Sequence, residues 1–256
     1  PQATFLIETC EESGSFDLPA YLDELSPILG SPDLVVVMDS GAGDYERLWV
    51  TTSLRGLVGG TLKVGVSKEG VHSGMAGGII PSSFRIARSI ISRIEDEKTG
   101  KILLPELSTD ISDEIENEAQ GIANVLGENV WTDFPTLEGL EPQTPGLSEI
   151  ILSGNWRPSL SVTGVDGMPS LKNAGNVLRT HTSLKLSMRI PPGVDSENAQ
   201  HAMVSALEEN APYGAHVSFS ADAAANAACV WACNAGRAAS RECQRGLVAK
   251  EAVAGE

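Results

Sequence analysis

The sequence has little positive charge: 18 Lys and Arg stand against 34 Asp and Glu, a formal net charge of −16. A surface that acidic lacks the footprint needed for nucleic acid and is not drawn to anionic lipid, so the expected partners are small molecules or other proteins. Long apolar runs are also missing, and none approaches the ~20 residues of a membrane helix. The opening "PQATFLIETC" has neither the basic region nor the cleavage pattern of a signal peptide, which makes the cytoplasm the expected compartment. Cysteine is scarce and badly spaced for a structural role. Cys10 stands alone while Cys229, Cys233 and Cys243 crowd the tail, so neither a metal finger nor a disulfide framework is expected.

What is present is enough apolar residue, 41% of 256 positions, to bury roughly 70–75% of the surface of the unfolded chain. Residues 3–7 read as a short buried strand. "FDLPAYLDELSPILG" reads as a helix stopped by Gly30 and Pro32, and the Val35, Val36, Val37, Met38 run reads as a strand covered on both faces, as in a parallel sheet. After the Gly-rich joint "SGAGD" the pattern changes. "RLWVTTSLRG", "GGTLKVGVS", "LSVTGVD", "TSLKLSMRI" and "AHVSFSA" alternate like half-exposed antiparallel strands, and "SEIILSGN" is read as another strand. "PSSFRIARSIISRIEDE" places Phe84, Ala87, Ile90, Ile91 and Ile94 on one helical face, and a second helix begins at Asp195 or Ser196 as its cap. These elements predict an α+β domain over about 45–218. Within it, residues 101–146 hold ten acids and one lysine, with Ile115, Ala119, Ile122 and Leu126 at helical spacing, the pattern of a solvated helical insertion.

Chemistry is concentrated at the carboxyl ends of the first two apolar runs, where open α/β sheets place their ligands. Glu11 and Glu12 follow the first run and Asp39 follows the second. On neighbouring strands, about 4.8 Å apart, these acids would converge and repel unless a cation lay between them. One glutamate could then hold a divalent metal while its neighbour acted as general base on a water. The same two glutamates could equally serve the positive end of the following helix, and the residue pattern leaves both readings open. "SGMAGG" lacks the lysine of a phosphate loop, so nucleotide binding is not expected.

Taken in order, "EESGS" after a strand, the Asp of "VVVMDSG" 27 residues beyond Glu12, "TTSLRG", "GVHSGMAGG" ahead of a helix and "GNVLRTHTSLKLSMRIPP" resemble one family from residue 3 to about 222. It is the co-catalytic zinc peptidases and amidohydrolases that include carnosine dipeptidase, aminoacylase, glutamate carboxypeptidase and succinyl-diaminopimelate desuccinylase. The resemblance implies an α/β catalytic-domain portion at 1–44 (parallel-type strands with helices), an inserted α+β lid or dimerisation domain at 45–218 (antiparallel sheet with two helices), and a returning catalytic segment at 219–256. It implies two divalent metal ions, zinc or alternatively manganese, with Glu12 a ligand of one and Asp39 of the other, and Glu11 as general base.

His72 resembles the histidine that the lid domain of one subunit sends into the active site of its homodimer partner to stabilise an oxyanion. Asn176 and Arg189 resemble the groups that hold the substrate's carbonyl and carboxylate. The implied reaction is hydrolysis of an amide bond in a small peptide, dipeptidase- or carboxypeptidase-like, with N-acyl amino acid deacylation or an inert dimerising module as alternatives. The family pattern also carries a His-x-Asp motif, a bridging acid and a late histidine that have no counterpart in the sequence, so an incomplete and by itself inactive fragment is expected. "AACVWACNAGRAASRECQRG" has the bias of a GC-rich gene read in a shifted frame.

Overall fold

A computed structural model describes residues 3–32, 35–38 and 41–229. The chain divides into two compact units, 1–41 and 42–256.

In the first unit a 3-10 turn, Glu11–Ser13, precedes helix α1, Leu18–Leu29. Gly14, at φ 98°, closes the turn, and Gly30, at φ 62°, ends the helix by donating its N–H to Ser26 O at 2.9 Å. Both positions lie in the left-handed region that glycine enters without a Cβ penalty. The two strands expected here do not form among the described residues. Phe5, Ile7 and Met38 are 83%, 86% and 87% exposed, and α1 buries no residue. A parallel pair persists only when both faces are covered, and the described part of this unit supplies no layer to cover them.

The second unit runs β1 (Ser53–Leu54), β2 (Gly56–Gly65), β3 (Val71–His72), α2 (Ser73–Ala76), α3 (Ser83–Ile91), α4 (Asp113–Leu126), α5 (Asn129–Thr132), α6 (Leu147–Asn155), β4 (Ser159–Asp166), β5 (Val177–Leu178), β6 (His181–Ile190), α7 (Ser196–Glu208), β7 (His216–Ala221) and β8 (Ala228–Cys229). Its centre is an antiparallel sheet of order β4-β6-β2-β7, and two short ladders, β1-β8 and β3-β5, flank it. Alternation decides the faces. On β6, Leu184, Leu186, Met188 and Ile190 join Val58, Leu62 and Val64 of β2 in one core, closed by Ile86, Ala87 and Ile90 of α3 and by Ala199, Met203 and Leu207 of α7. The other face carries Ser183, Lys185, Ser187 and Arg189 opposite Lys63, Thr61, Gly59 and Leu57. Gly60 is required by close approach, because a Cβ there would meet Ser220 O at 2.4 Å.

Local chemistry sets the helix ends. Asp195 caps α7, accepting from Asn198 N at 2.8 Å, and Ser82 and Ser112 cap α3 and α4 in the same way. Arg93, just beyond α3, donates to Ala206 O at 3.1 Å and Asn210 O at 2.9 Å, satisfying carbonyls at the end of α7 and tying the two core helices together.

Two expectations are corrected. Phe84 is 45% exposed, because the buried face of α3 runs through Ile86, Ala87 and Ile90 instead. "SEIILSGN" is helical, as α6, since Leu152 and Ile151 pack on Ile115 and Ala119 of α4 in a small second core. The acidic insertion is thus a helical subassembly with a few apolar contacts of its own. Glu118 lies on α4, and burial raises its carboxyl pKa. Its contribution to stability is therefore complete at acid pH and is lost as pH rises through the folded value. Replacing Glu118 by Gln should raise Tm slightly at about pH 7 and leave it unchanged near pH 4, as measured by paired thermal melts.

Candidate functional site

Glu11 and Glu12 occupy the 3-10 turn of the first unit, and both are exposed. Successive residues of such a turn are about 120° apart, so the two carboxylates diverge from a shared backbone. Neither is the N-cap of α1, which is Asp17. Asp39 lies outside the described residues.

In the second unit the β3-β5 ladder pairs His72 with Val177, and Ser73 N donates to Asn176 O at 2.9 Å. His72 and Asn176 are thus brought together by two segments a hundred residues apart in sequence. Both side chains are exposed. His72 Nδ1 accepts from Gly74 N at 3.2 Å, which puts the proton of the neutral ring on Nε2. The imidazole then presents an N–H outward, the form an oxyanion donor needs.

Arg189 stands elsewhere. It lies at the far end of β6, paired with Leu57 on one side and Ser159 on the other, whereas the His72–Asn176 ladder adjoins the end that begins at His181. Along β6, His181 and Arg189 are separated by about 26 Å at roughly 3.3 Å per residue. A dipeptide spans about 7 Å. Within one copy, Arg189 and the end of β6 that leads to the His72–Asn176 ladder are therefore separated by a strand longer than a dipeptide.

Arg55, to which the sequence gives no role, joins Arg189. It immediately precedes β2 and donates from Nη1 to the Oγ of Ser159, the residue paired with Arg189, at 3.1 Å. Burial and, second to it, the Arg189 charge lower its pKa. No signal in the sequence could have found this pairing without the strand register.

Residues 52–215 match the family model described as the peptidase dimerisation domain. The chain belongs to the M20 metallopeptidase family. Among M20 relatives it is 28% identical over 193 residues to the Cys-Gly metallodipeptidase DUG1 of Saccharomyces cerevisiae, covering 74% of this chain and 39% of that protein. It is 26% identical over 210 residues to the "Probable di- and tripeptidase DUG2" of the same yeast, covering 80% of this chain and 22% of that one. The crystal structure of human carnosine dipeptidase 1 superposes with a TM-score of 0.65 at 19% identity, covering 86% of this chain and 46% of that one, which is a likeness of fold. The chain spans less than half the length of each of these three proteins.

M20 metallopeptidases are metal-dependent. Among the described residues, no three His, Cys, Asp or Glu side chains come together as a group able to hold a metal ion, and a tight catalytic site takes about three protein ligands. The described residues therefore do not fit a complete metal centre. No described helix is long and apolar enough to cross a membrane.

Proposed function

We propose that this chain serves a metal-dependent peptidase acting on dipeptides or similarly short peptides with a free carboxylate, and that its second unit binds substrate across two copies. The observation that carries the reading is that Arg189 lies near the C-terminal end of β6, whereas the His72–Asn176 ladder precedes the opposite end of that strand in the chain. In a homodimer built through the dimerisation domain, Arg189 of one copy fixes the substrate carboxylate by a two-point guanidinium fork. His72 and Asn176 of the other copy meet the scissile carbonyl, and the Nε2–H of His72 donates to the oxygen as it gains charge.

Glu11 acts as general base, taking a proton from water and passing it to the leaving amine. Glu12 and Asp39 are proposed as one ligand each toward two divalent ions, zinc by family habit. The names of the relatives, a metallodipeptidase and a di- and tripeptidase, support a peptide as substrate. Cys10, an exposed free cysteine, is given no part in this reading.

The test is to assay the intact, metal-loaded protein against a set of dipeptides and their C-terminal carboxamides. The free acids should be cleaved with a KM at least about tenfold lower than the amides, the difference one charge-assisted fork contributes. Equal KM values would remove Arg189 from its assigned role, and failure to cleave either set would reject the peptidase reading.

A further inference from the structure

The β4-β6-β2 end of the sheet gathers two guanidinium groups and recruits no acid to balance them. Ser159, Arg189 and Leu57 lie abreast on three adjacent strands, and the Arg55 side chain reaches across from the start of β2 to Ser159 Oγ at 3.1 Å. Arg189 is exposed, Arg55 is half-buried, and the two charges sense each other.

Four other arginines of the chain are neutralised or spent. Arg47 pairs with Asp44 and Arg157 with Glu149, Arg93 binds backbone carbonyls, and Arg85 lies over the Tyr213 ring. Asp222, which follows β7 and bonds its N–H to Gly59 O on β2, is held by Lys185. Among the described residues, no carboxylate lies within ion-pair distance of Arg55 or Arg189. In a protein with 34 acids to 18 bases, two adjacent cations left without a carboxylate are costly to keep, and burial of one adds to that cost. An anion from outside the chain removes it.

We propose that Arg55 is a second carboxylate-binding residue, forming with Arg189 a two-guanidinium clamp for the terminal carboxylate of the substrate, with Ser159 holding the Arg55 fork in place. This rests on the assignment of Arg189 above and extends it. Arg189 alone binds one carboxylate by a fork. The pair surrounds it from two strands, which favours a full negative charge over a neutral carbonyl and makes a free C-terminus a condition of binding. Arg55 is thus a specificity-determining residue, remote from the oxyanion donor.

The test needs no turnover. In the full chain with 15N-labelled arginine side chains, N-acetylglycine is titrated while the Nε–H resonances of Arg55 and Arg189 are followed, with N-acetylglycinamide as the neutral control. Both resonances should move and saturate with a single dissociation constant for the acid, and neither should move for the amide. Arg55→Met should weaken acid binding about tenfold or more, and Arg55→Lys, which keeps the charge without the fork, should fall between. The amide fingerprint of β2 and β6 verifies that each variant is folded. Movement of Arg189 alone with unchanged affinity in Arg55→Met would overturn the clamp, reducing Arg55 to a brace for Ser159. So would equal responses to acid and amide. Loss of the peptidase reading would look different: the clamp would bind the acid normally while no peptide was cleaved.

Discussion

Replacing His72 with Ala in the intact enzyme should lower kcat by roughly 10²–10³-fold and leave KM within about twofold, the signature of a donor whose hydrogen bond matters only as charge develops on the carbonyl oxygen. The geometry supplies the reason. His72 ends a two-residue strand, its ring held by Gly74 N at Nδ1, so Nε2–H is fixed in direction without touching the sheet core. The substitution removes an exposed side chain and should leave Tm nearly unchanged. His72→Gln, which offers a neutral N–H at a different reach, should recover a small part of the rate. A rise in KM with kcat intact would instead make His72 a ground-state binding residue.

Glu11→Gln should reduce turnover by roughly 10²–10⁴-fold, because the amide is nearly isosteric with the carboxylate but cannot accept a proton at neutral pH. Metal content, read by elemental analysis after dialysis, should stay at the wild-type level, whereas Glu12→Gln should lose metal along with activity. The distinction follows from the 3-10 turn at Glu11–Ser13. Neighbouring side chains there point about 120° apart, so the two carboxylates take separate tasks. Loss of metal in Glu11→Gln with retention in Glu12→Gln would exchange their roles.

The sheet of the second unit was legible in the sequence because its strands alternate over a single covered face. "TSLKLSMRI" puts Leu184, Leu186 and Met188 inward and Lys185, Ser187 and Arg189 outward, and the structure has that division. α7 announced itself through Asp195, whose carboxylate meets the Asn198 N–H. Where tertiary context decides, the reading failed. Ile150 and Ile151 suggest a strand by their branched side chains, but an adjacent α4 with Ile115 and Ala119 to cover makes a helix the better solution.

The apolar runs at 3–7 and 35–38 have strand composition, yet they stay exposed and unpaired as strands among the described residues. Propensity is no substitute for a covering layer. Of the site, His72, Asn176 and Arg189 could be singled out by motif. Their division between the β3–β5 ladder and the far end of β6, and the company of Arg55, depend on register, which the alternation pattern does not specify across strands so distant in sequence.

The most direct test of the account mixes two impaired proteins. His72→Ala and Arg189→Ala copies, each with kcat/KM well below wild type, are combined in equal amounts under conditions that let subunits exchange and assayed at substrate far below KM. If each site takes Arg189 from one copy and His72 from the other, a hybrid dimer holds one doubly altered site and one wholly intact site, and random pairing restores about one quarter of wild-type activity. If both residues served a site within a single copy, every site in the mixture would lack one of them. Activity would then stay at the level of the separate variants, and the two-copy site would be refuted.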